Sequence, residues 1–289
     1  MEIQALKLVY FSPTGTTKSI VQTIAQGIKQ KPVEQIDVTC PDSRKRQLQT
    51  SRNELLIVAV PVYLGRVPVL LAEWLHAIKA DKTPVVCVVV YGNRGYGDAL
   101  LELKHKMIQR GGIPIACAAF IGEHSYSSSE MPIARARPDT MDLNHAESFG
   151  QKIQKKLTSA SSIDQNTEVY VPGSYPYRGD TKLWNVDFIA INNACTQCGN
   201  CAKVCPVGAI DPEHSNIIDK QKCITCCACI KNCPQSARRI KTSPVTDAAI
   251  RLNKLCGERK EPELFFSKVN KKNTCDPKVR QYRWVKDRK

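Results

Sequence analysis

Eight cysteines carry the clearest chemistry in this 289-residue chain. Cys195, Cys198, Cys201 and Cys205-Pro206 follow the spacing C-x2-C-x2-C-x3-C-P, and Cys223, Cys226, Cys229 and Cys233-Pro234 repeat it 28 positions later. Thiolates are soft donors that suit iron–sulfur clusters and zinc alike. Three ligands set two residues apart can wrap one face of a cubic cluster. A tetrahedral zinc site needs only two C-x2-C pairs and leaves Cys205 and Cys233 without a role. The repeat therefore points to two 4Fe–4S clusters. Gly199 follows the second cysteine of the first run, where loop geometry favours glycine, but Cys227 takes that place in the second. Slight strain is expected there. A spare ligand, an oxidation-prone thiol and a neighbour without function all remain open for Cys227.

A second group of polar residues lies near the start. Ser12, Thr14, Gly15, Thr16 and Thr17 fall between an apolar run at 6–11 and a helical pattern at 18–29. The N-terminus of a helix offers free N–H groups and positive dipole charge to an anion. No lysine sits inside the turn, which separates it from the G-x4-G-K-S/T nucleotide loop, and a phosphate monoester is the better fit. Ser and Thr at this place are also ordinary helix caps. Two later loops add Pro61, Tyr63, Gly65 and Arg66, then Tyr91, Gly92, Asn93, Arg94, Gly95, Tyr96 and Asp98. Their glycines allow close backbone approach, and their tyrosines can either stack on a ring or pack the loop.

The elements that must position these groups alternate. Apolar runs at 6–11, 33–38, 55–60, 85–91 and 113–121 read as strands, and 3.6-residue periodicity at 18–29, 69–79, 99–109 and 143–157 reads as helices. Near-continuous apolar strands joined by helices predict a doubly wound α/β domain with a five-stranded parallel sheet. Both later loops then fall at carboxyl ends of strands, where open α/β sheets bind ligands. A basic segment at 41–53 is expected to form an exposed helix. The predicted division is 1–157 for this domain, 158–185 for a Pro- and Gly-containing linker, 186–243 for a small α+β cluster domain and 244–289 for a basic extension with a frayed end. Tyr170, Tyr175 and Tyr177 in the linker either pin one domain on the other or leave a loose tether.

Residues 188–240 resemble a bacterial two-cluster ferredoxin. In that family the fourth cysteine of each run serves the other cluster. The resemblance implies Cys195, Cys198, Cys201 and Cys233 around one cluster, and Cys223, Cys226, Cys229 and Cys205 around the other. The front 157 residues resemble flavodoxins, whose S-x-T-G-x-T-type loop grips the phosphate of FMN and whose two later loops hold the isoalloxazine ring. Together the halves are similar to flavodoxin–ferredoxin fusion proteins of anaerobes, in which the segment at 122–127, with His124 and Ser125, also nears the flavin. The resemblance implies an electron-transfer protein that relays electrons between FMN and two 4Fe–4S clusters and so interconverts two-electron and one-electron traffic. The alternative is an FMN-dependent reductase acting directly on a small molecule.

Composition limits the remaining options. The net charge is +15, spread as +6 over 1–157 and +9 over 158–289. Two oxidised clusters and a phosphate would lower it to roughly +9. A basic surface suits an acidic redox partner protein or complex, and basicity alone is a weak case for nucleic acid. Ordinary flavodoxins are acidic, so Arg66 and Arg94 are expected to make the reduced flavin a weaker reductant here. No apolar run reaches a membrane span, no signal peptide is legible, and a cytoplasmic location follows. Fourteen cysteines in such a compartment indicate metal rather than disulfides. No G-x-G-x-x-G motif follows a strand, and no acid–base or nucleophile constellation reads as hydrolytic.

Overall fold

The computed structural model describes residues 3–159, 168–182 and 184–267. The front of the chain runs β1 (Ala5–Tyr10), α1 (Thr16–Ile28), β2 (Val33–Asp37), β3 (Glu54–Pro61), α2 (Ala72–Ala77), β4 (Pro84–Tyr91), α3 (Ala99–Gln109), β5 (Ile113–Ile121) and α4 (Thr140–Ser159). These five strands pair in parallel in the order β2-β1-β3-β4-β5. That is the doubly wound, flavodoxin-like order, as expected from the alternation of elements. Every residue of β4 and β5 is buried, because helices cover both faces. One core gathers Ile20, Val21, Ile24, Phe120, Phe149 and Ile153 under α1 and α4; the other gathers Trp74, Leu100, Leu103 and Met107 under α2 and α3. Helices α1 and α4 touch through Gly27 and Gly150, where a methyl group on either would strike the backbone of the other helix.

Two expected helices are shorter than their patterns. The segment at 41–53 makes only the 3-10 turn Pro41–Lys45, because Arg44 bonds back to the carbonyls of Val38 and Thr39, and Gln49–Thr50 then pairs with Lys79–Ala80. The same pairing ends the second helix at Ala77, after a 3-10 turn at Val69–Leu71.

The segment after α4 is docked rather than a loose tether over its described part; residues 160–167 and Leu183 of the expected linker lie outside the described residues. Val169 and Val171 are buried against the α3 side, and Lys104 Nζ donates to the Val169 carbonyl at 3.0 Å. Tyr177 bonds His105 at 2.9 Å and lies under the Arg66 guanidinium, whereas Tyr170 and Tyr175 face solvent.

The cysteine-rich unit is a short hairpin-like pair, β6 (Ile189–Ile191) with β7 (Arg238–Ile240), enclosing α5 (Asn200–Lys203) and α6 (Ala228–Lys231). The frayed end expected within 244–289 lies outside the described residues, but the chain before it does not run on as a loose extension. It forms α7 (Pro244–Leu255) and returns to the first sheet as β8 (Glu263–Phe266), antiparallel to β5. A lone four-residue strand has no periodicity long enough to read, and its partner is about 150 residues upstream. Residues 268–289 lie outside the described residues. No helix among the described residues is long and apolar enough to cross a membrane.

Candidate functional site

Three cavities organise the candidate residues, and the sulfurs define two of them. Cys195, Cys198, Cys201 and Cys233 line one, with Ser215 and Arg238. Cys205, Cys223, Cys226 and Cys229 line the other, with Phe188, Ile210, Ile224 and Cys227. Each cavity thus takes three cysteines from one run and the proline-linked fourth from the other run, the crossed arrangement. Among the described residues, no three His, Cys, Asp or Glu side chains converge on a single ion. Four soft donors around a cavity fit a cubic cluster. Gly199 and Cys227 cap α5 and α6 from equivalent left-handed positions, φ 74° and 58°. The expected strain at Cys227 is therefore present. Its side chain is buried in the wall of the second cavity. Burial drives the Cys226 thiol far up and the Cys229 thiol up to about 12, so filling this site must displace protons.

The third cavity, about 180 Å³, lies where the cysteine unit caps the carboxyl ends of the parallel strands. Thr14, Thr16 and Thr17 form one end. Gly15 caps α1 in the left-handed conformation (φ 87°), and the Ser12 hydroxyl accepts the N–H of Lys18 at 3.0 Å. The N–H groups of Thr16 and Thr17, at the first helical positions, have no acceptor within the helix. Pro61, Tyr63, Gly65, Tyr91, Gly92, Arg94 and Gly95 line the walls, with the segment from Gly122 to Tyr126. Gly92 is required: a methyl group there would collide with the His124 ring.

His124 is held as a neutral imidazole. Burial lowers its pKa to about 4, assisted by Lys231 and Arg94. Its Nδ1 accepts the Tyr126 N–H at 3.1 Å, which leaves the proton on Nε2. Burial, reinforced by Cys226 and Cys227, holds the Tyr63 phenol well above its ordinary pKa and therefore protonated. Tyr126 bonds the Thr225 hydroxyl at 3.3 Å and bridges the two parts of the chain.

Four residues of the two later loops do not line the cavity, and their side chains bond elsewhere. Arg66 pairs with Glu102 at 2.8 Å and turns away from the cavity. Asn93 is buried and donates to the carbonyls of Cys256 and Glu258, both at 2.7 Å. Tyr96 is buried and donates to Glu263 at 2.8 Å. Asp98 is fully buried and accepts from the docked segment, Ser174 N–H at 3.0 Å and Arg178 N–H at 2.5 Å. In each case a chain segment distant in sequence claims the polar group.

Residues that sequence reasoning did not assign to this cavity close it. Trp184, Ile224, Thr225 and Cys226 come from the cysteine side, and Ala248, Arg251 and Leu252 from α7. A weak 3.6-residue periodicity at 248–255 is the sequence signal that touches any of them. Further contacts fix the unit in place: Lys231 with Glu123 at 2.7 Å, Arg44 with the Pro206 carbonyl at 2.6 Å, and Asn232 with the Pro13 carbonyl at 3.4 Å.

The cysteine unit has relatives that match this reading. Residues 188–234 match the family model of the 4Fe-4S dicluster domain. The Escherichia coli protein named "Putative electron transport protein YsaA" is 41% identical over 69 residues, 23% of this chain and 43% of that protein. The polyferredoxin-like subunit of an aliphatic sulfonate oxidoreductase from Pyrococcus furiosus is 31% identical over 74 residues, 24% of this chain and 41% of that subunit. The chain thus spans less than half the length of these curated relatives. A solved flavodoxin from the domain Archaea aligns with 53% of this chain and 99% of its own, at 18% identity and a TM-score of 0.38. By its strand order and its family match, the chain joins a flavodoxin-like α/β fold to a 4Fe–4S dicluster domain.

Proposed function

We propose that the chain is an electron-transfer protein in which FMN, held in the third cavity, exchanges electrons with two 4Fe–4S clusters. One observation supports this most: Cys226 lines both the second cysteine cavity and the cavity shared by the threonine loop and the Tyr63 and Tyr91 loops. A ligand of one cluster is thereby a wall of the flavin site. FMN supplies the ability to take electrons in pairs and release them singly; the protein supplies position, electrostatics and exclusion of water.

In this reading Thr14, Thr16 and Thr17, with the first N–H groups of α1, bind the phosphate. Pro61, Tyr63, Gly65, Tyr91, Gly92, Arg94 and Gly95 surround the ring, and Ser12 and Gly15 shape the loop. Trp184 and Leu252 cover the cavity, and His124 keeps a proton on Nε2 rather than carrying charge. A relay is favoured over a reductase because the dicluster side presents a cluster ligand and an indole to the cavity, not an acid–base pair. The proposal includes an acidic redox partner, a cytoplasmic location, and a division in which 244–267 returns to the 1–157 domain around a dicluster unit at 186–243.

The test is anaerobic purification with flavin, iron and sulfide analysis, followed by FMN titration of the cluster-loaded protein. Binding should quench flavin fluorescence strongly, and Thr16→Val with Thr17→Val should weaken binding at least tenfold. Failure of cluster-loaded protein to bind FMN would overturn the reading.

A further inference from the structure

The two cysteine cavities arise from one repeated sequence but differ in a single charged residue. Arg238 follows Cys233 by five positions, and its mate in the first run, five positions after Cys205, is Ile210. Arg238 lines the cavity of Cys195, Cys198, Cys201 and Cys233, and Ile210 lines the cavity of Cys205, Cys223, Cys226 and Cys229. The surroundings follow suit. The Ile210 cavity is walled by Phe188, Ile189, Val207, Ile218 and Ile224, with no charged side chain in its lining.

Arg238 is only 3% exposed. Its Nη2 donates to the Ser215 carbonyl, its Nη1 has no acceptor, and no carboxylate among the described residues pairs with it. The Ser215 hydroxyl, 1% exposed in the same wall, is also unpartnered. A buried guanidinium without a counter-charge is costly, and so is each orphaned polar atom. Both costs vanish if the space between the four thiols holds an anionic, sulfur-rich group. A cluster with four thiolates is negative when oxidised and one charge more negative when reduced. A fixed cation and N–H or O–H donors at its sulfurs favour the reduced form, and solvent exposure acts in the same direction. Cys198 is exposed, and its cavity is flanked by exposed Thr196, Gln197 and Pro234.

We propose that Arg238, assisted by Ser215, is the buried counter-charge of the cluster held by Cys195, Cys198, Cys201 and Cys233, and sets its reduction potential above that of the cluster beside Ile210. The apolar cluster at Cys226 then adjoins the flavin cavity, and the Arg238 cluster is the downhill station at the protein surface. One electron passes from the reduced apolar cluster to the oxidised Arg238 cluster, with no bond made and no proton moved. The inference rests on the two-cluster reading above.

The test is a potentiometric titration of the full chain followed by electron paramagnetic resonance, on protein shown by iron and sulfide analysis to hold both clusters. Wild-type protein should show two unequal potentials. Arg238→Ile, which copies the residue of the other cavity, should lower the higher one and shift the electron distribution between the clusters at least tenfold, equivalent to 59 mV for one electron. Arg238→Lys should retain most of the difference, and Ser215→Ala should remove part of it. Should the isoleucine variant lose a cluster, Arg238→Gln, which keeps an amide donor without the charge, is read in the same way. Unchanged potentials in a charge-removing variant that holds both clusters would overturn the proposal. Wild-type protein unable to hold two clusters would instead refute the reading beneath it.

Discussion

Asp98 offers a sharp test of how the chain holds its parts together. It occupies the N-cap of α3, where an aspartate ordinarily caps its own helix, yet its side chain makes no such bond. Both carboxylate oxygens turn to the docked segment instead. Oδ1 accepts the Ser174 N–H at 3.0 Å, and Oδ2 accepts the Arg178 N–H at 2.5 Å and the Ser174 hydroxyl at 3.2 Å. Asp98→Ala strands two backbone donors at 1–3 kcal/mol each, about 3 kcal/mol in all after partial rehydration. At 1.4 kcal/mol per factor of ten, protection of those amides should fall on the order of 100-fold.

Hydrogen exchange read by mass spectrometry across 168–182 checks this, with α3 as internal reference. Protection should drop in that segment and stay unchanged in α3, whose capping does not use this carboxylate. Burial raises the Asp98 pKa, but hydrogen bonds from Arg178 and Ser174 outweigh it, so the value lies below the ordinary one. A lowered folded-state pKa contributes stability that is fully present above the unfolded value of about 3.9 and is lost as pH falls through the folded one. Docking should therefore be insensitive to pH from neutrality to about 5 and loosen in more acidic solution. Unaltered protection at Ser174 and Arg178 in the alanine variant would refute the argument.

Two further outcomes follow from the cavities. Arg94→Gln and Arg251→Gln should each lower the potential of bound flavin, on the order of 50 mV before full salt screening, while Arg66→Ala, whose charge is already paired with Glu102, should leave it unchanged; spectroelectrochemical titration distinguishes them. Cys233→Ala should cost the cluster sited with Cys195, Cys198 and Cys201, and Cys205→Ala the one sited with Cys223, Cys226 and Cys229, so that iron content halves in either variant and the surviving spectrum differs between them.

The most legible parts of the chain were those whose chemistry is local. Cysteine ligands two residues apart, and a hydroxyl loop between a strand and a helix, declare themselves because a few consecutive residues carry the whole donor set. The five strands were readable for a related reason: doubly covered strands must be apolar throughout, as β4 and β5 are. Tertiary structure decided which loop residues face the cavity. Asn93, Tyr96 and Asp98 share one short loop with Arg94, yet three of the four are claimed by carbonyls and carboxylates or amides 76 to 167 positions away. Local spacing cannot reveal such partners, because a polar group in a loop is satisfied by whatever the fold brings beside it. The offset between Arg238 and Ile210 was likewise present in the repeat, but only the folded hairpin buried that charge without a partner against four sulfurs.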